Sequence, residues 1–251
     1  MSIPKVEYGN WVPKRFIYVF SVLGILFSAL SFLFWFFVIF ALVCFVVALY
    51  FVYSRYLFSF KGGNIQNQLW DLVVSHLDWS GQGKVLDVGC GNGALTIKLA
   101  KKYPLAEVIG IDYWGSKWGY SKNVCEANAE VEGVADRVLF QKASAAELPF
   151  EDGYFDAVVS NFCFHEVADV KDKRQVICEA LRVLRKGGRF VFQDLFLFKQ
   201  VYGDIGQLVL DIKGWGVAEV AFVETRKAPF IPAVLKLPFM VGSIGLIKGE
   251  K

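Results

Sequence analysis

The sequence predicts an α/β domain built on a mostly parallel sheet with helices on both faces, preceded by an apolar helical hairpin of membrane-spanning length. Three observations carry this expectation. From about Asn64 onward, short apolar runs alternate with segments of helical periodicity, which is the pattern of repeated β-α units. One of those runs opens into a turn with three alternating glycines, "LDVGCGNGA", residues 86–94. And from Phe16 to Ser54 there is no Asp, Glu, Lys, Arg or His, a stretch about two bilayer spans long at about 20 apolar residues per span.

The apolar run is too long for the core of a secretory signal, which is about 7–15 residues, and a single helix of that length would overshoot a bilayer. Two spans, at about 16–34 and 36–54, with the turn between Ser28 and Trp35, fit it better. Basic residues flank both ends, Lys14 and Arg15 before and Arg55 and Lys61 after. Positive residues stay on the cytoplasmic side, so both ends are expected there, together with the globular domain. Tyr53 and Tyr56 suit the interfacial aromatic belt. The expected division is a membrane hairpin over residues 1–58 and a globular domain over 59–251.

Within the globular part, "NIQNQLWDLVVSHL" carries Ile65, Leu69, Leu72, Val73 and Leu77 at helical spacing. "KVLDVG" is a buried strand, "ALTIKLAKKY" a helix closed by Pro104, and "EVIGID" a second strand. Ser116–Glu130 is expected to be helical. "RVLFQK" and "FDAVVSN" are strands, and "DKRQVICEALRVLRKGG" is a helix ending in basic residues and Gly187, as helix C-termini prefer. "RFVFQD" is the fifth strand. "DIGQLVLDIKGWGV" reads as a helix, "AEVAFVET" as the sixth strand and "GSIGLIKGEK" as the last.

The net charge of +3 is too mild to call for a nucleic-acid partner. The five cysteines, Cys44, Cys90, Cys125, Cys163 and Cys178, are scattered and show no Cys-x-x-Cys spacing, so neither a disulfide framework nor a metal site is expected.

The glycine turn Gly89-x-Gly91-x-Gly93 lets the backbone bend tightly and approach a ligand. Asp112 closes the second strand, where an acid can accept hydrogen bonds from ribose hydroxyls. Alone these are weak signals, since Gly89-x-Gly91-x-x-Ala94 also satisfies the dinucleotide pattern of nicotinamide enzymes. Taken together, "VLDVGCGNG", "VIGID", "AAELPFEDGYFDAVVSN" and "ALRVLRKGGRFVFQD" resemble the class I S-adenosylmethionine-dependent methyltransferases, strongly over about Lys84–Asp194 and more loosely beyond. The resemblance implies a Rossmann-like methyltransferase fold, a mostly parallel seven-stranded sheet with an antiparallel last strand, and S-adenosylmethionine as cofactor. It implies that Asp87, Gly89, Cys90, Gly91 and Gly93 hold the methionine end, Asp112 the ribose and Tyr113 the adenosine. Asn161 and Phe162 fall at the sulfonium. The family's usual acid beside adenine is replaced here by Ser144, with the Ala145 amide next to it. That departure leaves open a cofactor-binding scaffold without catalysis.

The stretch "NFCFHEV", residues 161–167, follows the fourth strand, where the resemblance places the loop against methyl donor and acceptor. His165 is one of two histidines in the chain and is the candidate general base, since a base is needed when the nucleophile must shed a proton; structural bonding within the loop is the other reading. Cys163 is expected to be an apolar wall and Glu166 a solvated or capping carboxylate. His76 reads as structural.

The short connection Asp78–Gly83 makes the first globular helix antiparallel to the first strand, which puts the hairpin toward the carboxyl edge of the sheet. The apolar segment 226–241, "RKAPFIPAVLKLPFMV", follows the sixth strand to the same edge, either to roof the site, to dip into the membrane interface, or to pack as a β-hairpin. The expected substrate is therefore a hydrophobic or membrane-borne small molecule, with membrane lipid as the other partner. A soluble metabolite with the hairpin as a mere tether is the alternative.

Overall fold

A computed structural model describes residues 5–115 and 119–251 of the chain. It divides into two compact units, one comprising residues 10–69 and the other the segment up to Gly9 together with Trp70–Lys251.

In the smaller unit, α1 spans Lys14–Leu30 and α2 spans Phe37–Phe58. They pair antiparallel, with Phe16 and Phe20 stacked on Phe51 at one end and Phe27 against Phe37 and Phe40 at the other. The connection is residues 31–36. Small side chains permit the approach: Gly24 is buried, and a methyl group there would meet the Phe45 ring at 2.8 Å. On α2 the buried positions include Ala41, Cys44 and Ala48, one helical stripe. The remaining faces expose Ile25, Leu26, Leu42, Val46 and Leu49. Among the described residues, only α2 is both long and apolar enough to cross a bilayer; α1, with 17 residues, reaches about 26 Å at 1.5 Å per residue.

The larger unit carries the sheet. Helix α3 spans Ile65–His76. The strands are β1 Gly83–Val88, β2 Ala106–Asp112, β3 Val138–Lys142, β4 Phe155–Asn161, β5 Leu184–Asp194, β6 Glu219–Val223 and β7 Gly245–Glu250. The helices between them are α4 Ala94–Lys102, α5 Lys122–Val131, α6 Arg174–Arg182, α7 Lys199–Tyr202 and α8 Ile205–Gly214. The sheet order is β3-β2-β1-β4-β5-β7-β6. β1 pairs in parallel with β2 and β4, β2 with β3, and β4 with β5, while β7 runs antiparallel between β5 and β6. The mixed seven-stranded sheet agrees with the expectation. Central strands covered on both faces are apolar throughout: Val85, Leu86 and Val88 of β1 are fully buried, as are Ala157, Val158 and Val159 of β4. Asp87 is the polar exception in β1, also fully buried.

Three local expectations are corrected. Helix α5 starts at Lys122, not Ser116: the Ser121 hydroxyl caps it by accepting from Val124 N, and Ser116–Trp118 lie outside the described residues. Helix α6 stops at Arg182 rather than at Gly187, since Leu184 already pairs with Phe155 across an irregular register. Segment 226–241 forms no hairpin strands; it holds 3₁₀ turns at Thr225–Lys227 and Ala233–Leu235, with Ile231, Leu235 and Val241 buried and Leu237 and Phe239 exposed.

Candidate active site

Strand order reverses between β1 and β4, and ligands bind at the carboxyl ends of strands at such a switch point. All the residues singled out from the sequence, Asp87, Gly89, Cys90, Gly91, Gly93, Asp112, Tyr113, Ser144, Ala145, Asn161, Phe162 and His165, lie at or just beyond the carboxyl ends of β1–β4.

The glycine turn is held by the neighbouring strand end. Gly89 N and Cys90 N both donate to Ile111 O, at 2.8 and 2.9 Å, and Gly93 N closes the turn on Cys90 O at 2.8 Å. Gly89 has φ +79°, and a side chain there would collide with the Cβ and Sγ of Cys163 at 2.3 and 2.4 Å. This glycine is required as much by the loop after β4 as by any ligand. Helix α4 starts directly after Gly93, so its positive end faces the turn.

Asp112 ties β2 to this turn. Its Oδ2 accepts from Gly91 N at 2.9 Å and its Oδ1 from Trp114 N at 2.8 Å. The Trp114 indole N–H donates back to Gly91 O at 2.8 Å, with Trp114 held at φ +46°. An ionised carboxylate offers about four acceptor sites, so two of these bonds leave room for two hydroxyl donors. Burial raises the Asp112 carboxyl pKa, and the amides of Trp114, Gly91 and Tyr113 oppose that shift. Tyr113 itself is exposed, with the Lys142 ammonium 5.4 Å from its ring centre.

Asp87 is more extreme. Burial pushes its carboxyl up to about 7, against the Thr96 hydroxyl bond, which lowers it; the Asp112 charge adds to the rise. Thr96 Oγ1 donates to Oδ2 at 2.7 Å, while Oδ1 is buried with no hydrogen-bond partner among the described residues. A buried acceptor without a donor costs free energy, and a cationic ammonium group is a donor that would satisfy it. This orphaned oxygen, the spare acceptor sites of Asp112 and the glycine cradle fit an amino-acid and ribose-bearing cofactor.

Beyond β3, Ser144 does not stand alone. Its hydroxyl donates to Asp169 Oδ2 at 2.6 Å and accepts from Ala146 N at 3.2 Å. An acid absent from this position in the sequence is thus brought to it from the loop after β4. Ala145 is buried beside it.

Beyond β4, Asn161 Oδ1 accepts from Gln193 Nε2 at 2.7 Å. Phe162 sits at φ +55°, a conformation rare for a bulky residue and concentrated at functional sites; its N–H is pinned by Gln193 O at 2.8 Å. His165 Nδ1 lies 2.6 Å from Asp194 Oδ1, and Asp194, the last residue of β5, is fully buried. Nε2 is 3.6 Å from Glu166 Oε1. Burial pushes the thiols of Cys163 and Cys90 well above the ordinary range, which suits wall residues rather than thiolate nucleophiles. Cys90 also meets the Cys125 thiol, whose Sγ is 3.1 Å from Gly91 O. Among the described residues no group of three or more His, Cys, Asp or Glu is placed to hold a metal.

Sequence reasoning missed Trp114, Tyr120, Asp169 and Asp194, and it missed the N-terminal segment. Glu7 N donates to Asn128 Oδ1 at 2.8 Å, and Glu7 O accepts from Asn92 Nδ2 and Asn128 Nδ2, so this segment is tied to the glycine turn. Tyr120 lies 3.4 Å from where side chains on Gly9 and Gly91 would start; burial first, then the charges of Asp112 and Glu166, push its phenol up to about 12. Asp194 carried a signal, since it ends an apolar strand as Asp112 does. The loop residues carried none.

Residues 86–192 match a family described as a methyltransferase domain. A demethylmenaquinone methyltransferase from Staphylococcus aureus (strain JH9) is 36% identical over 137 residues, covering 52% of this chain and 53% of that protein. Another from Lactiplantibacillus plantarum is 34% identical over 120 residues, covering 47% and 48%. The chain spans about half the length of these curated relatives. Among solved structures, a geranyl diphosphate methyltransferase in complex with SAM aligns with a TM-score of 0.55 at 15% identity, over 76% of this chain and 87% of that one. Residues 86–192 therefore match a methyltransferase domain, and the sheet shares the fold of the solved methyltransferase. The chain's similarity to demethylmenaquinone methyltransferases is confined to about half its length.

Proposed function

We propose that this protein is a membrane-attached, S-adenosylmethionine-dependent methyltransferase acting on an apolar small molecule of the quinone or isoprenoid class. The observation that carries the membrane part is the outward apolar surface of α1, α2 and the connection between them: Tyr18, Ile25, Phe32, Leu33, Trp35 and Leu49 are all more than 60% exposed. Patches of that extent mark membrane or protein contact surfaces. Exposed Tyr53 and Tyr56 suit the interface, and Lys14, Arg15, Arg55 and Lys61 favour both helix-pair ends, and the catalytic domain, on the cytoplasmic side. Phe239 and Leu237 add exposed apolar surface on the segment before β7. The quinone class is favoured by the names of the relatives in S. aureus and L. plantarum.

S-adenosylmethionine, when bound, supplies a methyl group already activated by a sulfonium leaving group. The protein's work is then to position donor and acceptor. Asp87 and the turn Gly89, Cys90, Gly91 and Gly93 hold the methionine end, the Asp87 carboxylate receiving the ammonium. Asp112 receives the ribose hydroxyls and Tyr113 packs near the adenosine. Ser144, with its proton committed to Asp169, offers only acceptors to the adenine amino group, beside the Ala145 amide. Asn161 and Phe162 wall the sulfonium, and His165 faces the acceptor.

The test uses the full chain in detergent with radiolabelled methyl donor, incubated separately with host membrane lipid extract and with aqueous small-molecule extract. Label in the lipid fraction is expected. Label only in the aqueous fraction would sink the apolar-substrate reading and reduce α1 and α2 to a tether. Replacing α1 and α2 with a soluble linker, while keeping the N-terminal segment that carries Glu7, is expected to leave cofactor binding intact and to lower turnover of the membrane-borne acceptor severely.

A further inference from the structure

The proposed function leaves open which atom takes the methyl group. We infer that Asp194 is a positioning residue that fixes His165 as a general base acting through Nε2, and that the acceptor is an aromatic hydroxyl compound whose proton must be removed for transfer. This rests on the methyltransferase reading and deepens it.

Asp194 and His165 come from different elements, the end of β5 and the loop after β4. Asp194 is fully buried, and its carboxylate is fixed by Leu195 N, 2.6 Å from Oδ1; His165 N also lies 3.4 Å from Oδ2. A buried ionised acid that accepts Nδ1–H selects one imidazole tautomer and stabilises the imidazolium that forms on proton uptake. With Nδ1 committed at 2.6 Å, any proton His165 exchanges passes through Nε2. The loop that carries the ring cannot drift, because Cys163 abuts Gly89 and Phe162 N is bonded to β5. The ring is only 18% exposed. A histidine serving merely as loop filler needs no buried counter-charge.

Among the described residues, the other titratable groups around the pair include the following. Glu166 faces Nε2 from the same loop. The Tyr202 phenol, on α7, is buried near Asp194 and raised well above its ordinary value, by burial first and then by that carboxylate. Tyr120 feels the Glu166 charge, and Cys163 feels Asp194. Glu166 and Asp194 both favour the imidazolium, so the pair is built to accept a proton.

The step balances as follows. The acceptor's O–H bond breaks and its proton goes to Nε2. The oxygen, or the ring carbon conjugated to it, forms the new bond to the methyl carbon, and the electron pair of the old C–S bond stays on sulfur as a thioether. For attack through carbon, that ring carbon then releases its own proton to solvent, the C–H electron pair restores the aromatic ring, and the oxygen takes back the proton held on Nε2.

Two histidines in the chain make ¹⁵N resonance spectra simple to assign, with His76→Gln identifying the second. In the full chain in detergent with S-adenosylhomocysteine, His165 is expected as the Nδ1–H tautomer. In Asp194→Asn its titration midpoint should fall, and in Asp194→Glu the tautomer should persist. Asp194→Asn that still binds S-adenosylhomocysteine but leaves tautomer and midpoint unmoved would overturn the pairing; an Nε2–H tautomer in the unmodified protein would do the same. With a short-chain naphthohydroquinone as acceptor, His165→Gln should lower kcat about 10²–10⁴-fold without moving KM for the methyl donor. The loss should shrink for a more acidic, halogenated hydroxyarene. An equal loss with both acceptors would overturn the base assignment. If the tautomer is as expected but no acceptor gains methyl, the methyltransferase reading falls and the base role with it.

Discussion

The two sides of the site are held by different parts of the chain. On the β1–β2 side the contacts are largely backbone: Gly89 N and Cys90 N on Ile111 O, and Gly91 N and Trp114 N on Asp112. On the β4–β5 side they are largely between side chains: Gln193 to Asn161 and His165 to Asp194. Backbone geometry needs glycines and an acid at set spacings and tolerates little else, so it suits a cofactor that does not vary. Side-chain pairs can be exchanged without rebuilding the turn, so they suit an acceptor that does. Gly89 against Cys163 is where the two sides touch.

That contact is the place to break the comparison, and the largest effect is expected there. Gly89→Ala forces a methyl group into Cys163 at an unfavourable φ, and strain of this kind costs about 1–3 kcal/mol before any clash is counted. The variant should lose S-adenosylhomocysteine binding by more than about 100-fold in calorimetry, consistent with a loss of about 3 kcal/mol or more at 1.4 kcal/mol per tenfold. Adding Cys163→Gly should recover part of it. Recovery to the full value would mean that the φ itself is not strained.

A second, smaller effect separates the ends of the cofactor. Asp112→Ala removes the acceptor for two backbone amides and for the expected hydroxyls, and bonds to charged groups are worth about 1.5–3 kcal/mol. Affinity for S-adenosylhomocysteine should fall about 10- to 100-fold while circular dichroism stays unchanged. An unchanged affinity would remove Asp112 from the ribose role.

Asp87 sharpens the comparison differently, because it couples binding to stability. Its folded pKa is raised from 3.8 to about 7, so between those values the folded state holds a proton that the unfolded state has lost. Stability from this group therefore falls as pH rises from about 4 to 7 and is level above that. Asp87→Asn should accordingly gain thermal stability over the unmodified protein as pH rises through that window, while losing cofactor affinity. In the unmodified protein, affinity for the ammonium-bearing cofactor should rise as pH passes 7. A melting-temperature difference that stays flat from pH 4 to 8 would contradict the burial argument.

The smallest effect is expected at the adenine end. Asp169 is exposed, and exposed polar pairs contribute little. Asp169→Ala should weaken S-adenosylhomocysteine binding only a fewfold, and Ser144→Asp, which restores an acid locally, should offset that loss in the double variant. An additive or worsened double variant would show that the two residues do not share one partner.

The sequence by itself determined the strand and helix order, the glycine turn, the acids that end β1's ligand-facing run and β2, and the apolar length of α1 and α2. These are local signals: period two or 3.6, a glycine where φ is positive, a charge where apolar residues stop. Helix ends were misplaced where a long-range partner competed with propensity, as when the pairing of Leu184 with Phe155 ended α6 early. Only the tertiary structure decided that Asp194 meets His165, that Asp169 meets Ser144, and that Glu7 ties down Asn92 and Asn128. Each joins residues at least 25 positions apart on different elements, and no periodicity encodes such a meeting. It is set by strand order, which brings the ends of β4 and β5 together, and by loops whose paths depend on the packing beneath them.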